Sequence, residues 1–267
     1  MTPARFADSG FADSTIKKPI GKNAILPSNL PSLGISSPIV EKLESSRPAH
    51  PCFSPKRREK NMIKEAIAKL INKQPLSRTE AAGAMTDIMS GNATDAQIGA
   101  FITGLRLTGE TPETIAGCAE VMRANATPIQ CNDSNAVDIV GTGGDCANTF
   151  NISTTAAFVI AGAGVTVAKH GSYGVSSKCG SANVLSELGV NLQYTPAQME
   201  ACLAEIGIAF LFAPGLHPAM KHVVGPRREL GIWSIFNILG PLCNPAGVKN
   251  GIMGVFSPSL VPIVSDR

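Results

Sequence analysis

Residues 136–155 read AVDIVGTGGDCANTFNISTT, and their order decides the fold. The apolar run from Ala136 to Val140 ends at Gly141-Thr142-Gly143-Gly144-Asp145, and an Ala/Val-rich run from Thr155 to Ala163 follows Asn151-Ile152-Ser153-Thr154. That order predicts strand, glycine-rich turn, helix. Closely spaced glycines let the backbone take up positive φ and pass near a ligand without a Cβ clash. The helix beyond starts with free N–H groups and the positive end of a dipole, which together suit a phosphate. The spacing is neither G-x-G-x-x-G nor G-x-x-x-x-G-K-[ST], and such a turn can also be a simple tight connection. Asp145, Thr149, Asn151, Ser153 and Thr154 shift the balance. One of them is enough to cap a helix, whereas the set can hold a phosphate, a ribose hydroxyl or a magnesium ion.

Composition bounds the rest. At 267 residues, with 44% hydrophobic and 16% charged, the chain can build one large domain or two smaller ones with a real core. A net charge of +3 gives no case for nucleic acid by itself. The seven cysteines (52, 118, 131, 146, 179, 202 and 243) include no C-x-x-C pair and are odd in number. They fit reduced, mostly buried residues of a cytoplasmic protein better than a disulfide framework or a zinc site. No run of 18 apolar residues is present, which argues against a membrane-spanning helix.

Outward from the glycine turn, the chain divides in three. Residues 1–61 are rich in Pro and Ser, lack periodicity and close on Lys56-Arg57-Arg58; they are expected to be a disordered leader. From Met62 to about Thr127 the pattern predicts a small all-helical domain. Ile63, Ile67, Leu70 and Ile71 share one face of its first helix. Ser77 with Glu80 and Thr94 with Gln97 form capping boxes, and Thr111 caps a helix with Pro112 at its first position. Its apolar face would suit a dimer interface. Residues 128–267 predict a larger α/β domain with a mostly parallel sheet: strand 136–140, helix 153–163, strand 165–169, helices 180–189 and 195–206, strand 208–213, a helix over roughly 218–231, and a strand near Gly251 to Phe256. Ser257-Pro258 opens a further helix, and the sheet reads as incomplete at the C-terminus.

Four polar loops are expected at the carboxyl ends of the strands, where open α/β sheets bind ligands. Besides the Gly141 turn they are Lys169-His170-Gly171-Ser172-Tyr173-Gly174-Val175-Ser176-Ser177, with Ser181 at the next helix start; His217-Pro218-Ala219-Met220 leading to Arg227-Arg228-Glu229; and a rigid turn over Asn237–Pro245. Singly, Lys169 reads equally well as a solvated charge, His170 and His217 as core histidines, and Arg227 as a helix-face residue. Jointly they favour a substrate site.

GTGGD, NTFNIST, KHG…VSS, GSA, HPAMKHV and RRELG…IFNILGPL-NPAG resemble anthranilate phosphoribosyltransferase of tryptophan biosynthesis, of the nucleoside phosphorylase-like (type III) phosphoribosyltransferases, from about Met62 to Arg267. The resemblance implies a homodimer joined through the helical domain, which would also borrow helices from the 218–247 region. It implies magnesium as cofactor and transfer of phosphoribosyl from phosphoribosyl pyrophosphate to anthranilate. Position by position, Gly141, Gly144, Asp145, Thr149, Asn151, Ile152, Ser153 and Thr154 would hold the pyrophosphate side, with Ser153 also touching the metal. Lys169, His170, Gly171, Ser172, Tyr173, Gly174, Val175, Ser176, Ser177 and Ser181 would close over phosphoribosyl pyrophosphate. Gly141, His170, Ser172, His217, Arg227 and Pro241 would line the anthranilate path, and no residue is expected to act as a dedicated base.

Two departures stand out. Ser172 and Tyr173 follow His-Gly where the family usually has Asn, commonly then Arg, which bears on the acceptor contact. The family's magnesium-binding Asp-Glu pair falls beyond residue 267, so this chain is expected to be inactive alone and active when extended; equal turnover of the two would refute that. Two other readings compete: a pyrimidine-nucleoside phosphorylase, and a non-catalytic nucleic-acid-binding relative using the basic tail.

Overall fold

The computed structural model describes residues 61–144, 149–174 and 179–265. Residues 1–60 of the expected leader therefore lie outside the described residues, as do Asp145, Val175, Ser176 and Ser177, while Asn61 belongs to the first helix as its cap.

Four helices open the described chain: α1 (Met62–Ile71), α2 (Arg78–Met89), α3 (Asp95–Thr108) and α4 (Pro112–Ala124). Each starts where a side chain satisfies an orphan N–H. Asn61 accepts from Lys64 N, Thr111 from Thr114 N, and the Ser77/Glu80 and Thr94/Gln97 boxes close in both directions. In α1, Ile63, Ala66 and Leu70 turn inward, while Ile71, expected on the same face, is 75% exposed. Phe101, Met85, Ile88, Ile102 and Ile115 fill the bundle centre. Helix α4 presses on α2 at Gly117, where a Cβ would lie 2.2 Å from Arg78 O.

The α/β portion runs β1 (Val137–Gly141), α5 (Ile152–Gly162), β2 (Val167–Gly171), α6 (Ser181–Glu187), α7 (Pro196–Glu205), β3 (Ile208–Phe212), α8 (Ala213–Leu216), a 3-10 turn (Pro218–Met220), α9 (Lys221–Leu230), α10 (Ile235–Leu242), β4 (Asn250–Gly254) and α11 (Leu260–Ser265). All pairings are parallel, in the order β3-β2-β1-β4. Gly141 pairs with Gly254 and Gly171 with Phe212, so the carboxyl ends meet along one edge. Ile129, Ala168, Met199, Leu203, Ala209, Leu211 and Leu216 make a second apolar cluster. β4 is an edge strand, and its Ile252 is 68% exposed.

Two expectations are corrected. Strand β2 is shifted two residues along, to Val167–Gly171, so His170 and Gly171 join Lys169 in the strand and the loop starts after Gly171. The left-handed Gly164 (φ +89°) ends the preceding turn and delays the strand. The stretch expected as a rigid turn over Asn237–Pro245 is mostly helix α10. Its Pro241 sits in the last turn, and the apolar face of Ile235, Ile238, Leu239 and Leu242 is buried in the helical-bundle core, which outweighs the local turn signal. Val223 of α9 and Leu260 and Val264 of α11 join that core.

Candidate active site

The glycine turn leaves β1 with Gly143 at φ +65° and Gly144 at φ +83°, conformations that an L side chain resists. Thr142 pins it to the end of β4: its N–H donates to Gly254 O (2.9 Å), and its hydroxyl accepts from Phe256 N (3.2 Å). Gly141 itself has no positive φ and faces Gly254 O.

The start of α5 faces the start of α6. Asn151 directs its side chain to Cys179 O (Nδ2 to O, 3.2 Å) and makes no cap. Buried Thr154 donates to Ser181 Oγ at 3.0 Å. Ser153 is half-buried beside them, whereas Ile152 and Thr149 are exposed. The second loop is folded by Asn183, whose Oδ1 accepts from Gly174 N (3.2 Å) and Gly180 N (2.9 Å). A Cβ on Gly180 would lie 2.1 Å from Gly174 N, so only glycine fits. Ser172 O accepts from Ala182 N at 3.2 Å, and the half-exposed Tyr173 stands edge-on to Phe212 at 5.3 Å. The structure thus brings Asn151, Thr154, Ser172, Gly174 and Ser181 into one neighbourhood beyond β1 and β2.

Lys169 points elsewhere. Its buried Nζ donates to Ile139 O (2.5 Å) beneath the sheet's edge. Burial pushes its pKa down, and the nearby Asp138 opposes that. Asp138, whose pKa burial raises, accepts from His170 N (3.1 Å) and from Asn244 Nδ2 (2.8 Å). Asn244 also donates to Ala168 O (2.9 Å), tying the exit of α10 to β1 and β2. Asp138 carries no motif in the sequence, an acid in an apolar strand being its one signal, and Asn244 enters there only within NPAG and the Asn237–Pro245 stretch, with no role.

His170 and His217 are both buried and touch each other, Nε2 to Nε2 at 3.2 Å. Gly240 O can only accept, so His170 Nδ1–H is the donor of their 3.1 Å bond. His170 Nε2 then accepts from His217. Burial, with His217 and Lys169 nearby, holds His170 down to about 3, so it stays neutral; burial lowers His217 as well.

Arg227, in the last turn of α9, is half-buried, and desolvation lowers its pKa. Its guanidinium lies over Phe236 (5.5 Å to the ring centre) and reaches Asn237 Oδ1 at 3.5 Å. No described carboxylate forms an ion pair with it. Asn237 Oδ1 also accepts from Ser234 N (3.1 Å), which fixes the start of α10. One residue earlier, Trp233 packs on the glycine turn: a Cβ on Gly144 would sit 3.5 Å from its Nε1. Helix α10 therefore gathers the glycine turn, Arg227 and, through Gly240, the histidine pair. Trp233 escaped the sequence reading, and Asn237 entered it only within IFNILGPL and as the start of the expected rigid turn; Ser234-x-x-Asn237 ahead of an apolar run was the signal for the helix, masked by Gly240-Pro241. Pro241, next to Gly240, lines a cavity of ≈ 430 Å³ with Asp138, Asn244 and Lys249 alongside β4.

For magnesium the described donors do not suffice. Among the described residues no three His, Cys, Asp or Glu side chains converge, and one neutral hydroxyl, Ser153, is no cage for a hard cation.

Two family models match: "Glycosyl transferase family, helical bundle domain" over residues 64–126 and "Glycosyl transferase family, a/b domain" over 133–266. The anthranilate phosphoribosyltransferase of Desulforudis audaxviator is 58% identical over 205 residues, covering 77% of this chain and 59% of that protein. The Geobacter sulfurreducens enzyme of that name is 55% identical over 214 residues, covering 75% and 61%. Among solved structures, anthranilate phosphoribosyltransferase (TrpD) from Thermus thermophilus superposes with TM-score 0.72 at 42% identity, covering 75% of this chain and 61% of that one. The Saccharomyces cerevisiae enzyme in complex with PRPP and Mg gives 0.70 at 31% identity, covering 76% and 61%. The chain thus spans about six-tenths of the relatives it matches.

Proposed function

The chain belongs to the glycosyl transferase family defined by these helical bundle and a/b domains, and from that premise we propose that it serves transfer of the phosphoribosyl group of phosphoribosyl pyrophosphate to anthranilate, releasing pyrophosphate. The observation that carries the acceptor half is Arg227: a desolvated guanidinium with no acidic partner among the described residues, held by Phe236 and Asn237 of α10, the helix entered through Trp233 on the glycine turn. Such a group calls for a ligand carboxylate, which it can grip bidentately. The names of the relatives support this acceptor over a nucleoside.

In this reading the positive-φ turn at Gly143-Gly144 and the N–H groups at the start of α5 receive the diphosphate, with Asn151, Thr154 and Ser181 shaping its seat. As the C1–oxygen bond breaks, negative charge grows on the leaving diphosphate, where fixed N–H donors stabilise it without reorganising. Arg227 meanwhile aligns the amine for attack. An aromatic amine is unprotonated near neutrality, and the histidines, neutral and bonded to each other and to Gly240, act as walls and not as bases. Among the described residues, Ser153 is the one side chain this reading gives to magnesium.

Calorimetric titration of anthranilate and of pyrophosphate tests the reading. R227Q is expected to weaken anthranilate at least about tenfold, the worth of a charge-assisted hydrogen bond, and to leave pyrophosphate affinity unchanged. R227K, lacking the fork, should rescue little. Equal anthranilate binding by R227Q would remove Arg227 from the acceptor site.

We also propose a cytoplasmic homodimer. Cys118, Cys131 and Cys202, which form no disulfide, support a reducing compartment, and no helix of the described residues is long and apolar enough to cross a membrane. Ile71 and Leu107, 75% and 83% exposed on the bundle, support pairing there; a monomer mass by light scattering at working concentration would refute it.

A further inference from the structure

Trp233, the chain's one tryptophan, has a buried indole Nε1 with no hydrogen-bond partner among the described residues. Leaving such a donor unmet inside a protein is costly, and phenylalanine would keep an aromatic ring here without that cost. The ring is otherwise well held. Arg106 lies over it at 5.1 Å from the centre, and Phe256 stands edge-on at 4.7 Å. Its Cδ1–Nε1 edge faces Gly144, 3.5 Å from where a Cβ would be. Gly144 is at φ +83°, in the segment that turns backbone toward a ligand.

An orphan donor on the rim of an anion-binding turn is matched by an oxygen of the anion itself. We infer that Trp233 Nε1–H donates to a diphosphate oxygen seated on the Gly143-Gly144 turn, making Trp233 a positioning residue for the leaving group. The inference rests on the diphosphate reading of that turn. Three groups then act together. The turn supplies shape, Arg106 adds positive field across the indole face and polarises its N–H, and α10 fixes the approach, because Ser234 and Asn237 lock the residue next to Trp233. Glu110, close enough to Arg106 to feel its charge, has a buried Oε1 with no hydrogen-bond partner among the described residues, and burial raises its pKa.

A single tryptophan gives a single indole N–H resonance, so the test reads the proposed atom directly. Magnesium pyrophosphate is titrated into ¹⁵N-labelled protein, with calorimetry on wild type and W233F. The expected result is a downfield move and slower solvent exchange of the indole proton, about tenfold weaker pyrophosphate binding by W233F, and only a modest loss of melting temperature, because the lost ring packing is offset by removal of an unmet donor. Equal affinity of W233F with an unmoved indole resonance overturns the role of Trp233 and leaves the turn as the diphosphate seat. Absence of pyrophosphate binding by wild type overturns the seat and the inference together. A large drop in the melting temperature of W233F with unchanged affinity assigns the ring to packing alone and also overturns it.

Discussion

At the scale of single residues, the site is defined by charge that burial leaves under-compensated. Arg227 keeps its guanidinium among Phe236 and Asn237 with no described carboxylate, a poor arrangement for stability and a good one for recognising an acid. His170 is the opposite case, fully satisfied while neutral. Its pKa in the fold is about 3, against about 6.5 for an unfolded histidine. Between those values the unfolded chain binds a proton that the folded one refuses. The contribution to stability is therefore complete above about pH 6.5 and is lost as pH falls, by about 1.4 kcal/mol per pH unit, with His217 adding in the same direction. Urea midpoints measured from pH 7 to pH 5 should fall steeply in wild type and less in H170Q; parallel curves would show that His170 titrates normally.

Among elements, close approach matters more than propensity. Helices α2 and α4 meet where Gly117 leaves no room, since a Cβ would stand 2.2 Å from Arg78 O and 3.1 Å from Ala82 N. Alanine is ordinarily the better helix former, yet G117A is expected to destabilise the fold by about 1–3 kcal/mol through forced separation of the two helices. A urea midpoint at or above wild type would contradict this packing. Helix α10 illustrates the same point for a whole element. Its Gly240-Pro241 reads as a turn, but Ile235, Phe236, Ile238, Leu239 and Leu242 have a core to enter, and burial of five apolar side chains at roughly 1.5–3 kcal/mol each overrides the local signal.

For the molecule as a whole, the bundle and the later helices of the α/β portion share a core. Residues from α9, α10 and α11 complete the cluster built by α1 to α4, so the part that carries the site cannot loosen without opening the bundle. I238A, at a fully buried position, should cost about 2–5 kcal/mol and keep a single transition by far-UV and near-UV circular dichroism. Two separated transitions would mean that the units melt independently. How much of this was legible beforehand follows from the range of the forces involved. Capping boxes, the alternation of strands β1 to β4 with helices, and the glycine turn are set by interactions within a few residues, and the sequence determined them. The burial of Lys169 against Ile139 O, the pairing of His170 with His217, the helical state of residues 235–242 and the seat of Trp233 on Gly144 were decided only by the tertiary structure. Each joins residues far apart in the chain, and the energy that fixes it, desolvation of a charge or removal of an apolar face from water, exists only once the distant partner has arrived.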